Sequence, residues 1–266
     1  MGSLSNYIEN EILDHILKTG DWTAPANLYV GLSTADPTDD ASGIAEPAGN
    51  GYARVNHNSW DVAASRATEN TGTITFPEAS GSWGTITHFF VCNHLSNDTW
   101  GTNVELIAHG ALSASKTIGA GDNASFQDGA IDISFNSGGV GDILANAILD
   151  HIFGTVAYDT TADLYVALST ANPTDDASGM AEPVGGNYAR KSHNAWDAAA
   201  SGASENTGAI TFNQASASWG TVTYFAIFDD LTGGNMLLYG ALDTPRAIGQ
   251  QDTPSFADGA LDITLD

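Results

Sequence analysis

Residues Leu28 to Arg54 read LYVGLSTADPTDDASGIAEPAGNGYAR, and residues Leu164 to Arg190 read LYVALSTANPTDDASGMAEPVGGNYAR. The 136-residue offset holds through HNSW at 57–60 and HNAW at 193–196, then through SWGTITHF at 82–89 and SWGTVTYF at 218–225. Between Leu28–Cys92 and Leu164–Phe228, 44 of 65 positions are identical. Self-similarity at a fixed period marks one structural unit written twice. The 266 residues therefore divide into two homologous domains, 1–136 and 137–266, each of ordinary domain size.

Composition narrows the partners. Seven Lys and Arg stand against 32 Asp and Glu, a formal charge of −25. Such a surface repels phosphate backbones and anionic headgroups, so neither nucleic acid nor membrane is expected as a partner. No apolar run approaches the ~18 residues that span a bilayer, and the first 20 residues lack the pattern of a secretory signal. The single cysteine, Cys92, excludes an internal disulfide and reads as a small buried hydrophobe.

Each repeat opens on a helical pattern. Leu4, Ile8, Ile12, Leu13, Ile16 and Leu17 recur at helical spacing, with Ser3 or Ser5 as cap and Gly20 as terminator. Ile143, Leu144, Ala147, Ile148 and Ile152 repeat the stripe, with Asp142 as cap and Gly154 as terminator. The remainder alternates in short β-type runs between Gly, Asn, Asp and Pro. Examples are Leu28–Leu32, Ile74–Phe76, Ile86–Cys92, Val104–Leu112 and Ala130–Phe135. The expected fold is mainly β, with six to eight strands per repeat in an antiparallel sandwich or flattened barrel and one amphipathic helix in front. Asn136–Gly141 (NSGGVG) reads as the linker. The repeats differ in length at 93–110 against 229–240, an insertion of six residues expected to carry Trp100 to a surface tip.

Several groups invite chemistry. Asp36, Asp39, Asp40 and Glu46 cluster in one loop, and Asp175, Asp176 and Glu182 in its copy. Carboxylates of this kind suit calcium, although the spacing is not that of an EF-hand. The competing reading is a solvated turn in which Pro37 and Pro173 fix φ and the Asp side chains cap the backbone. Asp14–His15 and Asp150–His151 could orient an imidazole, but no nucleophile and no HExxH, CxxC, GxSxG or P-loop pattern accompanies them. His57 and His193 are paired by the repeat as well. Trp60, Trp83, Trp196 and Trp219 would stack on sugars if exposed, and form core if buried. Arg54 and Arg190 either pair with a carboxylate or reach a partner. They are named with Trp100 as candidate interface residues.

Together the helix SNYIENEILDHIL, LYVGLSTADPTDD, YAR, TITF, SWGTITHF and the SF–DGALDITL ending resemble a small structural module of tailed bacteriophages and prophages. Such modules are tail-fibre-like, minor tail or virion proteins. The resemblance implies a non-enzymatic virion structural protein, made in the host cytoplasm and carried on the particle exterior as a capsid decoration (cement) or tail component. Its implied partners are the major capsid protein or tail proteins, together with further copies of itself. No cofactor is expected, calcium apart. The alternative is a carbohydrate- or receptor-binding module assisted by calcium.

Overall fold

In a computed structural model the chain forms two compact units. The structure describes residues 3–96, 99–135, 139–154 and 156–265. The first repeat supplies strand β1 (Ser3–Leu4), helix α1 (Asn6–Leu17), β2 (Tyr29–Ser33), β3 (Val55–Asn56), β4 (Ala67–Glu69), β5 (Ile74–Glu78), β6 (Gly84–Cys92), β7 (Leu106–Ile118), β8 (Asn123–Phe126) and β9 (Asp132–Ser134). The second supplies α2 (Asp142–Ile152), β10 (Tyr165–Ser169), β11 (Lys191–Ser192), β12 (Ala203–Glu205), β13 (Ile210–Thr211), β14 (Gly220–Phe228), β15 (Met236–Ile248), β16 (Ser255–Phe256) and β17 (Asp262–Thr264).

In the first repeat an antiparallel sheet runs β1-β7-β6-β2-β3, beside two-stranded ribbons β4-β9 and β5-β8. The second repeat has β11-β10-β14-β15 with ribbons β12-β17 and β13-β16. The fold is mainly β and antiparallel, as expected. Among the described residues the sheets keep free edges and close no barrel, so each repeat is one main sheet accompanied by two-stranded ribbons. Ribbon and sheet meet through aromatic rings. Phe126 of β8 lies 6.0 Å from Phe89 of β6 and 6.2 Å from Phe76 of β5, and Phe256 repeats this with Phe225 and Phe212. The apolar run Ile86–Cys92 forms the middle strand of its sheet, and Phe90, Val91 and Cys92 are fully buried.

Both helices form where the periodicity places them. Ile8, Ile12, Leu13, Ile16 and Leu17 on α1, and Leu144, Ile148, Leu149 and Ile152 on α2, are almost completely buried. Each such side chain contributes roughly 1.5–3 kcal/mol. Four local expectations need correction. Leu4 lies in β1, and Ile143 is exposed on the outer face of α2. The residue in the left-handed conformation after α1 is Lys18 (φ 67°), the counterpart of Gly154 (φ 76°), so the helix ends before Gly20. The position ahead of α2 is Gly141. Asp142 is the first helical residue, and a Cβ on Gly141 would lie 2.4 Å from the Met236 carbonyl oxygen. The equivalent Ser5 has room for its hydroxyl, which donates to the Leu106 carbonyl and accepts from the Ile8 amide.

The expected linker is only partly a linker. Asn136, Ser137 and Gly138 lie outside the described residues. Val140 is bridged to Leu238, and Gly141 donates to the Leu237 carbonyl at 2.7 Å. That segment therefore occupies the sheet edge that Ser3–Leu4 occupies on Ala108–His109 in the first repeat.

The compact units do not coincide with the sequence repeats. Unit 1 comprises Met1–Glu9, Thr23–Phe135 and Asn146–Tyr158; unit 2 comprises Asn10–Trp22, Asn136–Ala145 and Asp159–Asp266. Most of each helix thus belongs to the unit whose strands come from the other repeat.

Candidate functional site

The helix exchange rests on two polar residues at i, i+4 spacing. In unit 2, Asn10 Oδ1 accepts from the Gly202 amide at 2.8 Å and Asp14 Oδ1 from the Ala199 amide at 2.6 Å. In unit 1, Asn146 Oδ1 accepts from the Arg66 amide at 2.8 Å and Asp150 Oδ1 from the Ala63 amide at 2.7 Å. The accepting turns are strained in the same way, with Ser65, Arg66, Ser201 and Gly202 all at positive φ. A carboxylate or amide oxygen supplied by the helix satisfies amides that the turn cannot pair itself. In unit 1, Phe153 completes the seat, its ring 4.5 Å from Trp60.

The Asp–His pairs therefore do not act together. Asp14 and Asp150 face these amides, while His15 Nδ1 accepts from Trp22 N–H at 3.3 Å and His151 Nδ1 from Tyr158 N–H at 3.0 Å. Each histidine tethers the chain leaving its own helix. Asn10 and Asn146 were not singled out from sequence. Their signal is an Asn-x3-Asp pair on the polar side of both helices.

The acidic loops lie between β2 and β3 and between β10 and β11. Asp36 Oδ1 accepts from the Thr38 amide (3.1 Å) and lies 3.9 Å from His88 Nε2 and 3.8 Å from His109 Nδ1. Asp39 meets His109 Nε2 at 2.9 Å. Asp40 accepts from the Thr38 hydroxyl (2.7 Å) and the Ser42 amide (3.0 Å), which hold its carboxyl down to about 2. In the copy, Asp176 does the same with Thr174 and Ser178, and Asp175 accepts from the Tyr239 hydroxyl. The carboxylates thus serve turn amides, hydroxyls and neighbouring ring side chains, His88 and His109 in the first loop and Tyr239 in the second. Among the described residues no three His, Cys, Asp or Glu side chains are grouped to hold a metal ion. The loops also cap the helices: the Asp39 carbonyl accepts from the Asn6 amide, and the Asp175 carbonyl from the Asp142 amide.

Arg54 and Arg190 organise the opposite end of each sheet. Arg54 forms a two-bond pair with Glu46 (2.9 and 2.8 Å), and Arg190 pairs with Glu182. Tyr52 and Tyr188 donate to the same carboxylates, and burial pushes both phenols above their usual range. The remaining guanidinium nitrogen clamps the β6–β7 or β14–β15 turn. Arg54 donates to the His94 and Ser96 carbonyls, and Arg190 to those of Asp230 and Gly233.

The repeats cover this arginine differently. Arg190 lies over the Phe228 ring at 3.5 Å. Cys92 stands at that position in the first repeat, so Arg54 is covered instead by Phe90 (5.3 Å) and Trp100 (4.8 Å). Phe90 fits because its cross-strand neighbour is Gly31; the equivalent pair is Ala167 and Ala226. The six-residue insertion therefore does not lift Trp100 to a tip. It folds the half-buried ring back onto Phe90 and Arg54. Asn97 and Asp98 of that insertion lie outside the described residues. Of the three expected interface residues, Arg54 and Arg190 are buried and Trp100 is partly covered.

Trp60, Trp83, Trp196 and Trp219 are all at most 5% exposed, so none offers a face to a sugar. Trp83 and Trp219 donate to the Asn50 and Gly186 carbonyls just ahead of the central strands.

Two similar antiparallel modules in one chain, their polar groups largely engaged with their own turns, define a β-rich tandem-repeat protein. Compared with known families, the chain matches the family described as Podophage GP4 fiber I protein gp80 over residues 3–134 and again over residues 139–264, and it belongs to that family. It is a bacteriophage virion component of the fibre kind, carrying the module in tandem duplicate. No curated protein matches the chain.

Proposed function

We propose that this protein is a building block of a fibre on the exterior of a podophage tail, with a structural rather than catalytic role. The observation that carries this reading is the fibre-family match in both repeats. The internal engagement of Asp14, His15, Glu46 and Arg54 is consistent with it, since groups that would suggest catalysis or metal binding serve the fold. An acidic surface keeps many exposed copies soluble and apart from nucleic acid. Other tail proteins are the partners this role requires. Gold-conjugated antibody against the protein, applied to purified particles, tests the placement. Label at the tail is expected; label spread over the capsid faces would overturn it in favour of a decoration role.

A further inference from the structure

Two features recur in both repeats and fit each other. The first is an exposed leucine, Leu95 or Leu231, at the turn that Arg54 or Arg190 clamps. In the second repeat this tip is short and fixed. Arg190 holds the Asp230 and Gly233 carbonyls, Asp229 accepts from Asn235 at 2.6 Å, and Leu231 is 46% exposed beside the exposed Asp230. The second feature is a cavity between sheet and ribbon. In unit 1 it measures about 280 Å³, with Leu32, Ile86, Leu112, Ile118 and Phe126 among its apolar lining and Lys116 exposed among the lining residues. Among the described residues the Lys116 ammonium has no hydrogen-bond or ion-pair partner, nor has the guanidinium of its counterpart Arg246.

We propose that copies of this chain join head to tail, the Leu231 tip of one copy seating in the first-repeat cavity of the next, where Lys116 meets Asp230. A cavity of about 280 Å³ is at or below the roughly 300 Å³ where small-molecule sites begin, and suits one apolar side chain. The equivalent cavity of unit 2 is larger, about 580 Å³, and its lining adds Asp243 where the first repeat has Ser113, so an acidic tip is less favoured there. Leu95 is flanked in sequence by His94 and Ser96, where Leu231 has Asp230 directly before it. Copies of a chain with charge −25 repel one another, so attraction is confined to the place where an uncompensated cation meets an acid. Joined head to tail without reciprocation, each added copy leaves one tip and one socket free, so the assembly propagates into a filament or ring. The contact does not depend on where in the particle the protein sits.

Sedimentation velocity of the full chain over a wide concentration range tests this. Species growing beyond a dimer are expected. Leu231→Asp and Lys116→Glu should each weaken association at least tenfold without moving the melting temperature, because both residues are exposed. Lys116→Glu combined with Asp230→Lys should restore association, and Leu95→Asp should leave it unchanged. A monomer at every concentration, an oligomer that stops at two, association that survives both single variants, or a charge swap that restores nothing would overturn the proposal.

Discussion

The Asp14 carboxylate accepts a hydrogen bond from the backbone amide of Ala199, 185 residues further along the chain, at 2.6 Å. Its counterpart Asp150 does the same for Ala63, 87 residues back, at 2.7 Å. Each repeat's helix therefore satisfies a strained turn of the other repeat. A fused pair of modules that exchange helices has no self-sufficient half.

Asp14→Ala should leave the Ala199 amide without its partner. A hydrogen bond to a charged group contributes roughly 1.5–3 kcal/mol, so chemical denaturation should show a loss of that order. Asp150→Ala should cost about the same. The two bonds lie in different units, so the double variant should lose close to the sum. A cost below about 0.5 kcal/mol for each variant would show that water replaces the carboxylate without penalty.

A Cβ on Gly31 would lie 2.1 Å from the Phe90 ring. Gly31→Ala should destabilise by about 1–3 kcal/mol through overpacking, and Phe90→Ala by about 3–5 kcal/mol through the cavity left. Combined, they recreate the Ala167–Ala226 pair and should cost clearly less than their sum. Strict additivity in a double-mutant cycle would mean that the two positions do not compensate.

How much of this was legible in sequence depended on range. The helices and the central strands follow from local periodicity, whereas the sequence leaves Trp83 and Trp219 open between core and sugar stacking and the fold buries them. The duplication follows from identity. The exchange of helices does not: the stripe Ile12, Leu13, Ile16 says that a face is buried, and two nearly identical copies offer two equivalent burial sites. Trp100 was misplaced because its cover over Arg54 depends on Gly31, Phe90 and Cys92, which come together only in the folded sheet. Lys18 was missed because a non-glycine residue in the left-handed region leaves no compositional mark.

Burial lowers the pKa of His57 and His193 below the ordinary 6.5, partly offset by hydrogen bonds with the Ser59 and Ala195 backbone. The folded state disfavours the imidazolium. The stability they contribute is therefore complete above about pH 6.5 and is lost as the pH falls below it. Melting temperature measured from pH 7.5 to 5 should fall on the acid side, and His57→Gln with His193→Gln should flatten that slope. An unchanged slope in the double variant would assign the effect to other groups.

Asp36, Asp39, Asp40, Asp175 and Asp176 are all engaged by protein groups, Asp36 and Asp39 sharing His109, so calcium should add nothing to stability. Melting curves in millimolar calcium and in chelator should coincide. A calcium-dependent rise abolished by Asp39→Ala with Asp175→Ala would reveal a site that these loops rearrange to form.

The reciprocal exchange is tested most directly by residues 1–136 alone, examined by sedimentation equilibrium together with circular dichroism. This fragment carries its own helix but lacks Asn146, Asp150 and Phe153, which complete unit 1. The account predicts a folded homodimer in which two copies trade helices, unfolding cooperatively at a concentration-dependent temperature. A folded monomer with the same helix content and a concentration-independent melt would contradict it.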